Sequence, residues 1–385
     1  MSQEALCKGI CAVSYLSKIE QGIGNPSPAI LQQLLDVLGV SYNTNPALLE
    51  KAQLMLNNYF DKYFHSEAAE DETSYLKLHQ QELENSELHL SWHLFNLFML
   101  IQKYGKKAPV CYQEAAYLSR FTDNMEEEQL YLYYVGSGLI DSDDRLEKLR
   151  LAETIHPSAF VKQSIAECYY TRHEYMKAIQ AADHAYAAAA EEGSHSALLW
   201  TSYLLGSCYA NFNDTSFMLR YYKRALELAR GYDTTVTSLI QFNIGSAYFE
   251  HGMHKDALPY LLASLQANDN SLEQQKVLAS QKLSCCYFEM GQASLGRQYL
   301  QQATNRRTDR MEPALIPLLY FTQLRYVDGD RSSEEYENTL RELYEKADTL
   351  GDGYKRVFAD CLVELYMTQR KYKDALAIRS ENAYA

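Results

Sequence analysis

The chain lacks any apolar run near the roughly 18 residues that a membrane span needs, which excludes a helical membrane protein. A basic segment followed by an apolar one is missing at the N-terminus, so no secretory signal is legible. These absences point to the cytoplasm. None of the eight cysteines stands in a CxxC pair, which excludes a zinc ribbon and a thioredoxin-type motif and favours free thiols in a reducing compartment. Positive charge is also scarce: 36 Lys and Arg stand against 50 Asp and Glu, a net charge of −14. Lys8 and Lys18 face Glu4, Glu20 and Asp36 within residues 1–44, so nearly all of the surplus lies beyond them. A phosphate backbone is repelled by such a chain except at a local face. At 385 residues the chain is too long for one compact core.

The long acidic part contains an internal repeat. The segments "SIAECYYTRHEYMKAIQAADHAY", "LLGSCYANFNDTSFMLRYYKRAL", "NIGSAYFEHGMHKDALPYLLASL" and "KLSCCYFEMGQASLGRQYLQQAT" each carry an apolar residue, a small residue and a tyrosine, then a turn and a second helix. Tyr169, Tyr209, Tyr248, Tyr287, Tyr326 and Tyr366 fall at intervals of 39 or 40 residues. A small residue three positions earlier (Gly206, Gly245, Ser284) lets two antiparallel helices approach, and the tyrosine fills the gap beside the turn. A second small residue (Ala178, Ala257, Gly296, Ala375) receives the neighbouring pair. Each pair buries its apolar face only by stacking on the next, so the expected product is a superhelix with a concave groove. Cys168, Cys208 and Cys286 share one repeat position with Ala247 and read as packing residues. The pattern resembles the tetratricopeptide repeat (TPR), with more than its usual 34 residues per unit. It covers about residues 155–380, and "LHLSWHLFNLFMLIQKY" and "EEQLYLYYVGSGL" extend the array back to about residue 70.

Positions on the first helix of each pair would line the groove. They include Gln163, Glu167 and Tyr170; Tyr203 and Asn211; Phe242, Asn243 and Phe249; and Lys282 and Phe288. Rings supply pockets and amides grip a backbone, which suits an extended peptide. Asn211 and Asn243 are the expected backbone grips, unless they merely cap or pack. Glu167, Glu250, Glu289, Asp328 and Glu364 recur along this face, which suggests either a cationic ligand or a solvated acidic surface.

In "SQEALCKGICAVSYLSKIEQGIGNPSPAILQQLLDVLGV", Ser2 can cap a first helix, Ser14 lies near the start of a second, and Ser27 caps a third that Gly39 ends. Leu6, Ile10, Leu16, Ile19, Ile30, Leu34, Leu35 and Leu38 would form a small core. Gln3, Leu6, Ser17, Ile19, Glu20, Gly22 and Pro26 resemble the Xre/Cro-type helix-turn-helix pattern Q-x-x-L, turn, S-x-I-E-x-G-x-x-x-P, and the short turn "GIC" resembles the PlcR-like regulators. Joined to TPR-like repeats, the motif makes the chain similar to the RRNPP type of receptor (Rap, Rgg, NprR, PlcR and PrgX). That resemblance implies an all-α fold: an Xre-type helix-turn-helix with its first helix missing, followed by a right-handed TPR-like superhelical array. It places Val13, Tyr15 and Lys18 toward the major groove of double-stranded DNA, with Gln3, Ser14 and Ser17 at its edge. The missing helix implies either a start upstream of Met1 or a shortened protein without DNA binding.

The expected organisation is a helix-turn-helix over residues 1–44, a linker helix over 45–68 and a peptide-binding repeat domain over 69–385. His89 and His93 stand one helical turn apart but lack the glutamate of HExxH and a third ligand, so no metal or other cofactor is expected. No phosphate loop or nucleophile signature suggests an enzyme. The function implied is a cytoplasmic, homodimeric transcription regulator whose repeats bind a short signalling peptide and control the helix-turn-helix. The alternative is a Rap-like protein-interaction adaptor.

Overall fold

The structure, a computed structural model, describes residues 1–382 except 25, 41, 213, 233, 267–271 and 351–353. Among the described residues every regular element is helical. The chain divides into two compact units, Met1–Ala197 and Leu198–Ala385.

The first unit opens with α1 (Gln3–Cys7), α2 (Val13–Glu20) and α3 (Pro28–Leu38). Ser2 caps α1 by accepting from the Ala5 amide, and Ser27 caps α3 by accepting from the Ile30 amide. Gly39 ends α3 in the left-handed region at φ 72°. Cys7, Leu16 and Leu34 are the buried centre of this small core, with Leu6, Ile10, Cys11, Ile19 and Ile30 packed around it. Leu38 departs from the expected core: it is 48% exposed, because the last turn of α3 runs past the three-helix centre.

Next comes α4 (Pro46–Phe64), the helix read from sequence as a linker. It buries Leu49, Ala52, Leu56, Tyr59 and Phe60, a spacing that makes one continuous helical face. Tyr59 meets Phe95 edge-on at 4.6 Å between centroids, and Phe60 and Tyr63 meet Phe98 at 5.3 and 4.8 Å. This helix is therefore a wall of the first unit's main core. The unit continues through α5 (Glu70–Leu78), α6 (Gln80–Glu84), α7 (His89–Tyr104), α8 (Pro109–Leu118), α9 (Glu127–Leu139), α10 (Arg145–Ile155), α11 (Ala159–Thr171) and α12 (Tyr175–Glu192).

After α13 (His195–Asn211), the second unit runs α14 (Thr215–Leu228), α15 (Thr234–Glu250), α16 (His254–Ser264), α17 (Glu273–Glu289) and α18 (Ala293–Arg306). It ends with α19 (Leu315–Thr322), α20 (Glu334–Glu345), α21 (Tyr354–Thr368) and α22 (Tyr372–Asn382). The small residues do what the repeat demands. A Cβ on Gly206 would lie 2.5 Å from the Tyr222 ring, and one on Gly245 would lie 2.7 Å from Leu261. Ser284 instead donates to the Gly296 carbonyl at 2.8 Å. Gly296 thus serves its own pair: a Cβ there would strike the Phe288 ring at 2.8 Å.

Each phased tyrosine of three successive pairs stacks on a second tyrosine across the turn. Tyr209 lies over Tyr221, Tyr248 over Tyr260 and Tyr287 over Tyr299, at 5.6, 5.7 and 5.4 Å with nearly parallel planes. The fifth pair breaks this order. Gln323 stands where the earlier pairs carry a small residue, and the end of the first helix, Gln323–Asp328, winds as a π-helix. The wider winding rotates Tyr326 off the pair interface, where it stacks on Phe288 at 5.2 Å and 6°. Phe321 pairs with Tyr336 instead.

Candidate functional site

In the helix-turn-helix, Leu16 anchors α2 in the core, so positions on the opposite side face outward. Val13 is 38% exposed, Ser14 and Lys18 are exposed, and Tyr15 and Ser17 are half-buried. The Ser17 hydroxyl accepts from Gln21 at 3.4 Å. Gln3 sits on the exposed side of α1, and its amide donates to the Glu20 carboxylate at the far end of α2. Two residues of the sequence motif thus clasp the two helices together.

The groove positions of the first unit are half-buried. Glu167 accepts from Lys106 at 2.7 Å and lies 3.4 Å from Arg145, while Tyr170 meets Tyr175 edge-on. Gln163 is half-buried on α11. In the second unit the first helices of consecutive pairs bring Tyr203 and Asn243 together, the amide donating to the phenol oxygen. Asn211 donates back to the Ser207 carbonyl of its own helix at 2.9 Å. Phe242 is half-buried against the core. Lys282 is only 1% exposed, so it does not stand open in a groove; it pairs with Glu250 at 3.2 Å beneath the Tyr354 ring, 3.9 Å from its centroid, with Phe249 at 5.0 Å.

Of these residues, Phe249 and Glu250 border a cleft of about 420 Å³ within the second unit, and the other sequence-derived groove positions among them lie outside it. Phe249, Glu250 and His254 come to it from α15 and α16, Gln281 and Glu289 from α17, Arg325 and Tyr326 from the π-helix, and Tyr354, Arg356 and Glu364 from α21. Gln281 is buried at a junction: it donates to Thr322 at 3.0 Å and accepts from the Tyr354 hydroxyl at 3.0 Å. Burial pushes the Tyr354 and Tyr326 phenols well up, so both stay protonated and donate, Tyr326 to Glu289 at 2.7 Å.

The recurring acids are matched within the protein. Glu250 has Lys282 and Glu289 has the Tyr326 hydroxyl. Glu364 has Arg325 at 3.0 Å and Arg331 at 3.8 Å, and Asp328 accepts from Gln323. What the cleft leaves unmet is nitrogen: Arg325 Nε, His251 Nε2 and His254 Nδ1 are buried without a hydrogen-bond partner. The Arg325 Nε can only donate. His251 Nδ1 contacts the Ala247 carbonyl at 2.8 Å, and since a carbonyl only accepts, that nitrogen carries the proton and Nε2 is an acceptor in the neutral ring. Burial lowers the His254 pKa below its usual 6.5, against the pull of Glu289, so its ring is neutral at pH 7.

Arg325, Tyr354 and Arg356 are absent from the sequence-derived groove, as is the cleft role of Tyr326. The available signal was Gln323, which replaces the small residue three positions before a phased tyrosine and marks the slipped register.

A helix-turn-helix family matches residues 1–44. The chain is 24% identical over 393 residues to the transcriptional activator NprA of Geobacillus stearothermophilus, spanning 96% of this chain and 95% of that protein. Its fold is similar to the apo form of the quorum sensor NprR from B. thuringiensis, with a TM-score of 0.66 at 16% identity over 87% of this chain and 98% of that one. A Rap protein complexed with Competence and Sporulation Factor superposes with a TM-score of 0.64 at 15% identity, covering 87% and 99%. With a helix-turn-helix at its head, TPR-like helix pairs behind it and a relative matched along nearly its whole length, the chain is similar in architecture to the RRNPP type of proteins.

Proposed function

We propose that this chain is a cytoplasmic transcription regulator that binds a short linear peptide in the cleft of its second unit and controls DNA binding by its helix-turn-helix. The observation that carries the peptide reading is a single cleft that combines the aromatic rings of Phe249, Tyr326 and Tyr354 with the cationic side chains of Arg325 and Arg356. A peptide offers carbonyls and a carboxylate to such cations and apolar side chains to such rings. Aromatic walls from Phe249, Tyr326 and Tyr354 take side chains beside them. Since the acids are already matched, the ligand need not be cationic; its carbonyls or a carboxylate suit Arg325. Phe288 stacks on Tyr326 and so backs one wall of the cleft. The solved NprR complex with its cognate peptide NprX shows that a protein of similar fold takes a peptide.

For DNA, Val13, Ser14, Tyr15, Ser17 and Lys18 present the outer face of α2 to the major groove, with Gln3 setting α1 against it. A homodimer would place two such motifs on paired half-sites. Peptide binding would then act by changing their spacing. The domain plan is residues 1–44 for DNA, 45–68 as connecting helix and 69–385 for the ligand.

The test is fluorescence anisotropy on duplex DNA from upstream of the gene, with and without synthetic peptides, for the full chain and for Arg325→Ala. Specific DNA binding that peptides alter in the parent but not in the variant supports the proposal. Absence of DNA binding at low salt favours the protein-interaction reading, to which the Rap likeness lends weight.

A further inference from the structure

Cys7 and Cys11 lie side by side in the helix-turn-helix, their sulfur atoms 3.7 Å apart. We propose that these two thiols form a reversible modification site, an intramolecular disulfide made by a peroxide and undone by a small thiol. A disulfide needs about 2.05 Å between sulfurs, so closure asks for less than 2 Å of movement. The backbone already brings the two residues together: across the turn that follows α1, the Cys11 amide donates to the Cys7 carbonyl at 3.2 Å. Between them Gly9 holds φ 82°, and a Cβ there would meet nothing within 4 Å, so the turn has room to tighten.

The two sulfurs differ in access. Cys7 is 3% exposed, at the centre of the three-helix core, whereas Cys11 is half-buried at its edge. Burial and the adjoining Cys11 push the Cys7 thiol up. The solvent-facing Cys11 thiolate therefore attacks the peroxide first, giving a sulfenic acid as the O–O bond breaks and hydroxide leaves. The Cys7 sulfur then attacks the Cys11 sulfur, the S–S bond forms and water departs. Two thiols and one hydrogen peroxide become one disulfide and two waters. Two small-molecule thiols reverse the bond and leave as their own disulfide.

The consequence for the motif is local. Val13, the first residue of α2, follows Cys11 by two positions, so the bond fixes the turn that sets α2 against α1. That coupling to DNA rests on the regulator reading above; the bond itself does not, and its test needs no DNA.

The experiment treats the native full chain with hydrogen peroxide, alkylates it in denaturant and digests it with trypsin without reduction. Cleavage after Lys8 and Lys18 leaves one cysteine in each of Met1–Lys8 and Gly9–Lys18. The expected result is these two peptides joined, with the mass lowered by two hydrogens. Thiols titrated in denaturant should fall from the eight of the untreated chain by two, and recover with dithiothreitol. Cys11→Ser should lose no thiol pair under the same treatment. The proposal is overturned if the peptides stay separately alkylated, if Cys11 advances to sulfinic acid instead, or if the joined species forms as fast in denaturant as in the native chain.

Discussion

Replacing Gly245 with alanine sets two effects of opposite sign against each other. Glycine costs a helix interior about 0.8–1 kcal/mol relative to alanine, so propensity alone predicts that Gly245→Ala stabilises the chain by that amount. Packing predicts the reverse. The added methyl would lie 2.7 and 2.9 Å from the side chain of Leu261 and 3.0 Å from its backbone nitrogen. Leu261 is fully buried and its backbone belongs to α16, so neither can swing aside. Overpacking of this kind costs about 1–3 kcal/mol, and the backbone contact places this site in the upper half of that range. The net expectation is destabilisation by about 1–2 kcal/mol. For a unit of this size that lowers Tm by about 2–8 °C. Thermal unfolding of the full chain, checked against urea denaturation, measures it. The double variant Gly245→Ala with Leu261→Ala should show a favourable coupling, since the methyl then fills part of the space that the leucine leaves. A Gly245→Ala chain with an unchanged or raised Tm would refute the claim that close helix approach is why glycine stands in this repeat position.

Three further outcomes are expected. Lys18→Ala should weaken binding to the specific operator more than to unrelated duplex, as expected of a side chain facing the major groove; a loss about equal for all sequences, with the salt slope reduced by about 1, would make Lys18 a phosphate contact instead. Lys282→Met should destabilise the chain toward the lower end of the about 3–5 kcal/mol typical of breaking a buried ion pair, measured by urea unfolding, because Glu250 stays behind at 11% side-chain exposure. Near-wild-type stability would mean that the pair contributes little. For His254 the folded pKa lies below the usual 6.5, so the unfolded chain binds the proton more readily. Its contribution to stability is full above pH 6.5 and is lost as pH falls through 6.5 toward the folded value. His254→Asn should flatten that part of the pH–stability curve between pH 7.5 and 5, and an unchanged slope would assign it to another group.

The divide between sequence and structure can be followed residue by residue. Ser2, Ser27 and Gly39 mark helix ends by local hydrogen bonding and backbone preference, and those ends stand where expected. The phased tyrosines and the glycines before them are periodic, and the helix pairs follow the period. Tyr221, Tyr260 and Tyr299, each 12 residues after a phased tyrosine, were equally legible, since they repeat at the same interval. The pair Tyr203 and Asn243 was foreseen as surface, but not as two groups bonded to each other.

By itself, then, the sequence determined the all-helical repeat, the helix-turn-helix at its head and the acidic character, because these depend on patterns that close within one helix or one repeat. Tertiary structure alone decided that the helix after the first motif is a core wall rather than a tether, that Lys282 is sealed against Glu250, and that a π-helix turns Tyr326 and Arg325 into a cleft with Gln281 and Tyr354. Those outcomes join residues as much as 73 positions apart. Which of two amphipathic faces is covered, and which acid meets which cation, is fixed by the packing of neighbouring helices, and no local period carries that information.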